Sequence, residues 1–167
     1  MKIRIGHGYD IHPLKDGRPM ILGGIDFDTP YGLEGHSDAD ALTHAICESL
    51  LGAAGLDDIG YHFPDTEPRY KDIDSQKLLS EVVSMLRAKG FAIGNIDATV
   101  VAEKPKIGPR IPEMKRRLAQ SAQISVEQIG IKATTNEKLG AIGRGEGIAA
   151  FASCLIQTED AANTPGA

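Results

Sequence analysis

Tryptophan is absent from the 167 residues, and phenylalanine and tyrosine contribute only four each. That scarcity removes the aromatic platforms on which single-stranded nucleic acids stack their bases. Positive charge is short as well: 18 Lys and Arg against 23 Asp and Glu leave a net charge of −5, the wrong sign for a phosphate backbone or an anionic bilayer. The sequence therefore predicts no nucleic-acid partner and no membrane partner. No apolar run approaches bilayer-spanning length, and the first residues read as a strand rather than a signal peptide. Cys47 and Cys154 are the only cysteines, and their apolar surroundings predict buried reduced thiols in a cytoplasmic protein. What the chain has in quantity is glycine, 19 residues, which favours tight turns and backbone-lined pockets. The length suits one domain with a real core, expected over residues 1–158, with a polar, small-residue tail at 159–167.

The most informative stretch is Gly6-His7-Gly8-Tyr9-Asp10-Ile11-His12. Ile3, Ile5, Tyr9 and Ile11 alternate as in a strand, so Asp10 and His12 point to one face, a pleat apart. A carboxylate and an imidazole so placed suit a zinc-type ion, although an Asp-x-His pair by itself is more often a surface or hydrogen-bonded pair. A third ligand must come from elsewhere. Downstream, His36-Ser37-Asp38-Ala39-Asp40 leads into an apolar helical pattern, and Ser37 with Asp40 resembles a capping box, which predicts a helix from Ser37 to about Ala53. His44 sits roughly 200° around that helix from Leu42, off its apolar side, and is the candidate third ligand. Asp40, one turn earlier, would be its hydrogen-bonding partner. His36 would sit beside the free N–H groups of the helix start, a place that favours an anion.

Further along, Asp57–Asp65 is too rich in Gly, Pro and Asp for a regular element and predicts a working loop. A helix is expected from Asp74 or Ser75 to Lys89 and another from Pro112 to Ala122. Strands are expected at the start up to His12, around Met20–Leu22, and over 96–103, Ile129–Thr135 and Ile148–Ile156, with Pro13–Arg18 and residues 26–35 as loop or hairpin. Helices and strands in this order predict an α+β two-layer sandwich, a mixed β-sheet with helices on one face. The other sheet face then needs a partner, which points to an oligomer.

The order of motifs is specific. It runs Gly-His-Gly-Tyr-Asp-Ile-His at 6–12, His-Ser-Asp-Ala-Asp at 36–40 with His44, Asp-Ile-Gly at 58–60 and Phe-Pro-Asp at 63–65. Lys-Ala-Thr-Thr-Asn-Glu-Lys-Leu-Gly at 132–140 and Gly-Arg-Gly-Glu-Gly-Ile at 143–148 follow. Together, from about residue 3 to 156, they resemble the 2-C-methyl-D-erythritol 2,4-cyclodiphosphate synthase family of the non-mevalonate isoprenoid pathway. The resemblance implies that 4-diphosphocytidyl-2-C-methyl-D-erythritol 2-phosphate cyclises with release of CMP. It implies Asp10, His12 and His44 as ligands of Zn2+, and Glu137 as the residue bringing Mg2+ or Mn2+ to the substrate phosphates. His36 and Thr135 fall at transition-state-stabilising positions. His36, Ser37, Asp58, Ile59, Gly60, Phe63 and Asp65 match the methylerythritol pocket, where Asp10 and His12 also contribute. Ala102, Lys104, Pro105, Lys106, Ile107 and Gly108, with Ala133, Thr134 and Thr135, match the cytidine pocket, and Arg144 faces a phosphate. A homotrimer with sheets around its axis and sites between subunits is implied too. The sequence departs from the family pattern at Gly108, Asn136 and Ala141, which touch the nucleotide end and the 138–144 loop and not the metal residues.

Two other readings fit parts of this inventory. A zinc-dependent phosphoesterase would use Asp38 or Asp40 as base to activate water. A trimeric small-molecule binding module without catalysis would keep the build and lose the chemistry.

Overall fold

The computed structural model describes residues 2–158, so the expected tail at 159–167 lies outside the described residues. The chain opens with β1 (Ile3–Asp16), then a small hairpin of β2 (Ile21–Leu22) and β3 (Ile25–Asp26), and β4 (Tyr31–Leu33). There follow α1 (Ala41–Ala54), the one-turn α2 (Ile59–His62), α3 (Ser75–Ala88) and β5 (Phe91–Val101). The chain then runs through α4 (Ile111–Ala122), β6 (Ile129–Thr134), the one-turn α5 (Gly140–Gly143) and β7 (Gly147–Thr158). The main sheet has the order β4-β1-β7-β5-β6, with β5 and β6 parallel and the other pairs antiparallel. Helices α1, α3 and α4 pack on one face of it. This is the α+β two-layer arrangement with a mixed sheet that the sequence pattern predicts.

Period-two alternation decides which residues meet the helices. Gly6 and Gly8 of β1 lie buried against α1, opposite Cys154 and Ala152 of β7. Their lack of a side chain is required: a Cβ at Gly6 would stand 1.8 Å from the Ser49 carbonyl oxygen, and one at Gly8 2.1 Å from that of Ala45. Helix α1 can thus lie directly on β1, and Asp10 and His12, on the same face two and four residues on, run past its first turn. Leu42, Ala45, Ile46, Leu50 and Leu51 are buried, because α1 is sandwiched between the sheet and α3. Such a helix is apolar almost all round. Gly8→Ala is expected to cost about 1–3 kcal/mol through forced separation of α1 and β1 and to weaken metal retention with it. Thermal unfolding with parallel metal analysis checks this, and an unchanged melting temperature would refute the close-approach account.

Several expected boundaries differ. β1 continues through Pro13 to Asp16, since Leu14, Lys15 and Asp16 pair with β4 and the Pro13 carbonyl accepts from the Glu34 N–H. Helix α1 starts at Ala41, not Ser37: Asp40 is the N-cap, accepting from Thr43 N, and Ala39 before it has a left-handed backbone, φ 58°. His36 therefore stands four residues ahead of the N-cap rather than next to the helix start. Asp57–Asp65 contains α2, capped by the Asp58 side chain on Tyr61 N at 2.8 Å.

The uncovered face carries Ile3, Ile5, Tyr9, Ile11 and Phe151, which are 39–76% exposed. Tyr9 and Phe151 are paired across strands with rings 4.9 Å apart. Register also sets a distance. Asp10 pairs with Ala150, Ala150 with Val100, and Val100 with Ala133, so Asp10 and Ala133 lie in one row, three strand spacings or about 14 Å apart.

Candidate active site

Strand β1 and the first turn of α1 bring three side chains together. Asp10 Oδ2 lies 2.8 Å from His12 Nε2 and 3.0 Å from His44 Nδ1, and those two nitrogens are 3.2 Å apart. His44 is buried, and Asp10 and His12 are half-buried. His12 Nδ1 stands 2.9 Å from the Glu34 carbonyl oxygen; a carbonyl only accepts, so Nδ1 donates and Nε2 is the nitrogen turned to the triad, where it can ligate once it gives up its proton. Around an ion with bonds of about 2.0–2.1 Å, tetrahedral ligands stand about 3.3 Å apart, within about half an ångström of these distances. Asp10, His12 and His44 therefore form a group that fits a divalent metal.

Electrostatics agree with a site built for a cation. Burial by itself would raise the Asp10 carboxyl, but the His12 and His44 hydrogen bonds and charges outweigh it and hold the carboxyl well below the usual carboxylate range. For His12, burial pulls downward, and the Asp10 hydrogen bond and charge outweigh it, so the imidazole titrates above its ordinary value of 6.5. In the metal-free protein a proton on His12 takes the cation's place. Its stabilisation is complete below about pH 6.5 and lost as pH rises through the raised value; that of ionised Asp10 is lost as pH falls below about 4. Binding of a divalent cation would have the opposite dependence at His12. Apparent affinity is expected to fall about tenfold per unit below the raised His12 value, one proton being displaced. Chelator-competition titrations across pH 6–8.5 read this, and a pH-independent affinity would refute it.

Asp40 does not partner His44. Fully buried, it accepts from Gly23 N at 2.9 Å, Gly24 N at 2.7 Å, Thr43 N at 3.0 Å and Thr43 Oγ1 at 2.6 Å. It anchors the β2–β3 turn to α1. The groups at His44 Nε2 are Ser75 Oγ at 2.8 Å and Ser37 Oγ at 3.1 Å, and Ser75 also donates from its N–H and hydroxyl to Asp38. Sequence reading missed Ser75, which gives no local signal beyond standing next to the N-cap Asp74.

Next to the triad, His12, His36, Ser37, His44, Ile59, Gly60, Phe63 and Asp65 line one cavity of about 150 Å3 together with Tyr70, Ile73 and Leu78. Six of the seven candidate methylerythritol residues thus share a cavity with two triad histidines. The seventh, Asp58, caps α2 beside it. Phe63 is buried edge-on against Tyr70, 5.5 Å between rings. The volume suits a small polyol and is about half the lower end of typical ligand pockets.

The candidate nucleotide residues are elsewhere. Ala133, Thr134, Thr135 and Glu137 are exposed at the end of β6, three strands from Asp10. Thr135 Oγ1 donates to Glu137 Oε1 at 3.1 Å and accepts from Glu137 N at 3.3 Å. Glu137 and Lys138 both have left-handed backbones, φ 49° and 62°, a conformation that ordinary side chains disfavour and that collects at functional sites. It is held by Glu103, whose Oε1 accepts from Asn136 N at 3.0 Å and Lys138 N at 3.2 Å. Asn136 closes the turn through Nδ2 on the Leu139 carbonyl, 2.8 Å, which gives one departure from the family pattern a structural use. Lys104 is joined to Pro105 by a cis peptide bond, and Lys104 and Lys106 are exposed. The side chains of Ala102 and Ile107 are buried, so that loop offers mainly backbone there. Gly108 faces open space. Lys104 and Arg144 line a separate cavity of about 630 Å3 with Lys15 and Tyr31, and Arg144 is tied to Glu146 at 2.6 Å.

Residues 3–157 match the model of the YgbB family. A curated relative, the 2-C-methyl-D-erythritol 2,4-cyclodiphosphate synthase of Phocaeicola vulgatus, is 57% identical over 157 residues, 94% of this chain and 98% of that protein. The fold superposes on the bifunctional IspDF of Campylobacter jejuni with a TM-score of 0.92 at 39% identity, over 95% of this chain and 43% of that one. It also superposes on the CDP complex of Plasmodium falciparum IspF, with a TM-score of 0.84 at 35% identity over 95% and 97% of the two chains.

Proposed function

The chain belongs to the YgbB family, and from that membership and the geometry above we infer that it is a 2-C-methyl-D-erythritol 2,4-cyclodiphosphate synthase. It converts 4-diphosphocytidyl-2-C-methyl-D-erythritol 2-phosphate to the cyclic diphosphate and CMP, a phosphorus–oxygen lyase reaction of isoprenoid biosynthesis. The observation that carries this is the Asp10–His12–His44 group opening on a cavity of polyol size. A cytoplasmic setting fits Cys47 and Cys154, both buried and free.

The nucleophile is an oxygen of the substrate's 2-phosphate, anionic near neutral pH because a monoester's second pKa is about 6. It bonds to the β-phosphorus while the bond from that phosphorus to the bridging oxygen breaks, and CMP leaves with the electron pair. No proton need be removed, so no side chain has to act as nucleophile or strong base; the protein's task is to position and to compensate charge. Asp10, His12 and His44 would hold Zn2+, and Glu137 would bring Mg2+ or Mn2+. When bound, such ions supply Lewis-acid compensation of the phosphate charge. His36 and Thr135 donate to the reacting phosphates. Ser37, Asp58, Ile59, Gly60, Phe63 and Asp65 fold the polyol back on itself, and Lys104, Lys106 and the backbone around them, with Ala133 and Thr134, seat the cytidine. Arg144 is assigned to a phosphate by family likeness alone, since it lines a different cavity from the triad. Incubation with the cytidyl substrate should yield CMP and cyclic product in equal amounts and no inorganic phosphate. Phosphate release would favour a zinc-dependent phosphoesterase instead, and no turnover with saturating metals a binding module.

The 14 Å separation of triad and nucleotide residues within one sheet implies that a single chain carries two half-sites. In this reading three copies pack their open faces around an axis, so that Asp10, His12 and His44 of one subunit face Lys106, Thr134 and Thr135 of the next. Ile5→Asp, on the open face and 76% exposed in the isolated chain, should convert a species of three-chain mass to monomer. Turnover should fall at least about tenfold, each desolvated Ile contributing about 1.5–3 kcal/mol to assembly, while zinc stays bound. A monomeric variant with undiminished turnover would place the whole site within one chain.

A further inference from the structure

Arg18 is neither in the triad nor among the residues lining the cavity beside it, but its guanidinium reaches the segment that carries much of the site. The N–H and C=O of a residue in extended antiparallel chain turn to one side, and those of the next residue to the other. At Glu34 both turn toward β1: the N–H donates to the Pro13 carbonyl at 2.9 Å, and the carbonyl accepts from His12 Nδ1 at 2.9 Å. The carbonyls of Leu33 and Gly35 therefore turn away from β1. On that side β4 is the edge of the sheet, and no strand supplies donors. Arg18 supplies them. Its Nε donates to the Leu33 carbonyl at 3.3 Å, and its Nη2 to the carbonyls of Gly35 at 3.4 Å and Ser37 at 3.0 Å. Nη1 stands 3.5 Å from Asp72 Oδ1. The bond to Ser37 is the one of ordinary length; what the others add is direction, because a planar fork meets several acceptors at fixed angles and the point charge of an ammonium does not. Arg18 is itself held at its base, where the Gly17 N–H donates to the Pro30 carbonyl at 2.9 Å.

We propose that Arg18 is a positioning residue for the reaction: a clamp on the backbone of residues 33–37 that sets where His36, Ser37 and the His12 ring stand. The proposal rests on the synthase reading of the site. Three contacts tie the segment to the site. It presses on the His12 ring, since a Cβ at Gly35 would stand 3.0 Å from His12 Cε1, and the Glu34 carbonyl fixes the angle of that ring. It carries Ser37, whose Oγ is 3.1 Å from His44 Nε2. It also carries His36, which is exposed, so its ring is placed by the backbone beneath it rather than by packing. The segment is closed beyond the clamp by the Asp72 N–H on the His36 carbonyl at 2.8 Å and the Asp38 N–H on the Ile73 carbonyl at 3.1 Å. With the guanidinium gone, three carbonyls at the sheet edge would turn to water, and the stretch from Leu33 to Ser37 would be held only at its ends and along β1.

Arg18→Ala is expected to fold, with kcat at saturating substrate and zinc falling about 10–100-fold, the loss usual when groups that orient the side chains of a metal site are removed. Amide hydrogen exchange of the metal-free protein, read by mass spectrometry, locates the cause. Protection should fall at Glu34, Asp38 and Asp72, whose N–H groups bond within or beside the clamped segment, and stay at the wild-type level in α1 and β7. Guanidinium chloride well below denaturing concentration should restore part of both kcat and protection in Arg18→Ala and change neither in wild type. Arg18→Lys keeps the charge without the fork and should lie between the two; it carries the test if Arg18→Ala does not fold. Wild-type kcat with protection lost would make Arg18 a cover for the sheet edge only and overturn the proposal. Lost kcat with protection intact would overturn it too, because Arg18 would then act on the substrate by its charge. Exchange raised evenly through α1 and β7 would make it a general stabiliser. A wild-type protein that releases no CMP would overturn the synthase reading instead, and the exchange pattern would still decide whether Arg18 orders residues 33–37.

Discussion

His44→Ala is expected to leave a folded protein that holds no stoichiometric zinc and turns over about a thousandfold more slowly. Two remaining ligands, Asp10 and His12, make an inadequate site, since catalytic zinc needs three protein ligands and one open position. The rate loss corresponds to about 4 kcal/mol of transition-state stabilisation, in the range a Lewis acid contributes to phosphoryl transfer. The fold should survive because α1 is held by Leu42, Ile46, Leu50 and Leu51, all fully buried. The Ser37 and Ser75 hydroxyls left behind can take water into the vacated space. Circular dichroism establishes folding and elemental analysis the metal. One zinc per folded chain in the variant would remove His44 from the ligand set.

Glu137→Gln separates the two ions. The change keeps the shape of the side chain and an acceptor for the Thr135 hydroxyl, which donates to Glu137 Oε1 at 3.1 Å, but removes the charge that a hard cation requires. Zinc content should equal wild type. Turnover should fall about 100-fold, near 2.7 kcal/mol, and its dependence on added magnesium should flatten or move to higher concentration. The strained turn is not at issue, because φ 49° at residue 137 suits Gln as well as Glu and Glu103 still anchors the neighbouring N–H groups. Wild-type turnover across magnesium concentrations would mean that the second ion, if used, is held elsewhere.

Much of this molecule was legible in local sequence because local physics decides it. Alternation from Ile3 to His12 put Asp10 and His12 on one face, and helix periodicity put His44 off the apolar side of α1. Asp74, the apolar spacing to Leu86 and Gly90 bounded α3 to within a residue. Motif order named the family. Local rules failed where a distant group won the contest for a polar atom. The start of α1 is Ala41 rather than Ser37 because Asp40 caps Thr43 N after a left-handed Ala39; Gly23 and Gly24 of a separate hairpin hold the same carboxylate, and no window around residue 40 contains those donors. The same capture took Asp40 from His44, whose Nε2 is met instead by Ser75, 31 residues away. The strand expected to end at His12 continues through Pro13 because β4 supplies its partners. Sequence by itself determined which residues could ligate, and on which face of which element, since side-chain direction follows backbone period. Only tertiary structure decided which of them meet. The Gly6 and Gly8 contacts let α1 close on β1 so that three ligand atoms converge within 3.2 Å, while three strand spacings keep Thr135 and Glu137 away from them. Convergence depends on how surfaces approach in space, and that distance is not written along the chain.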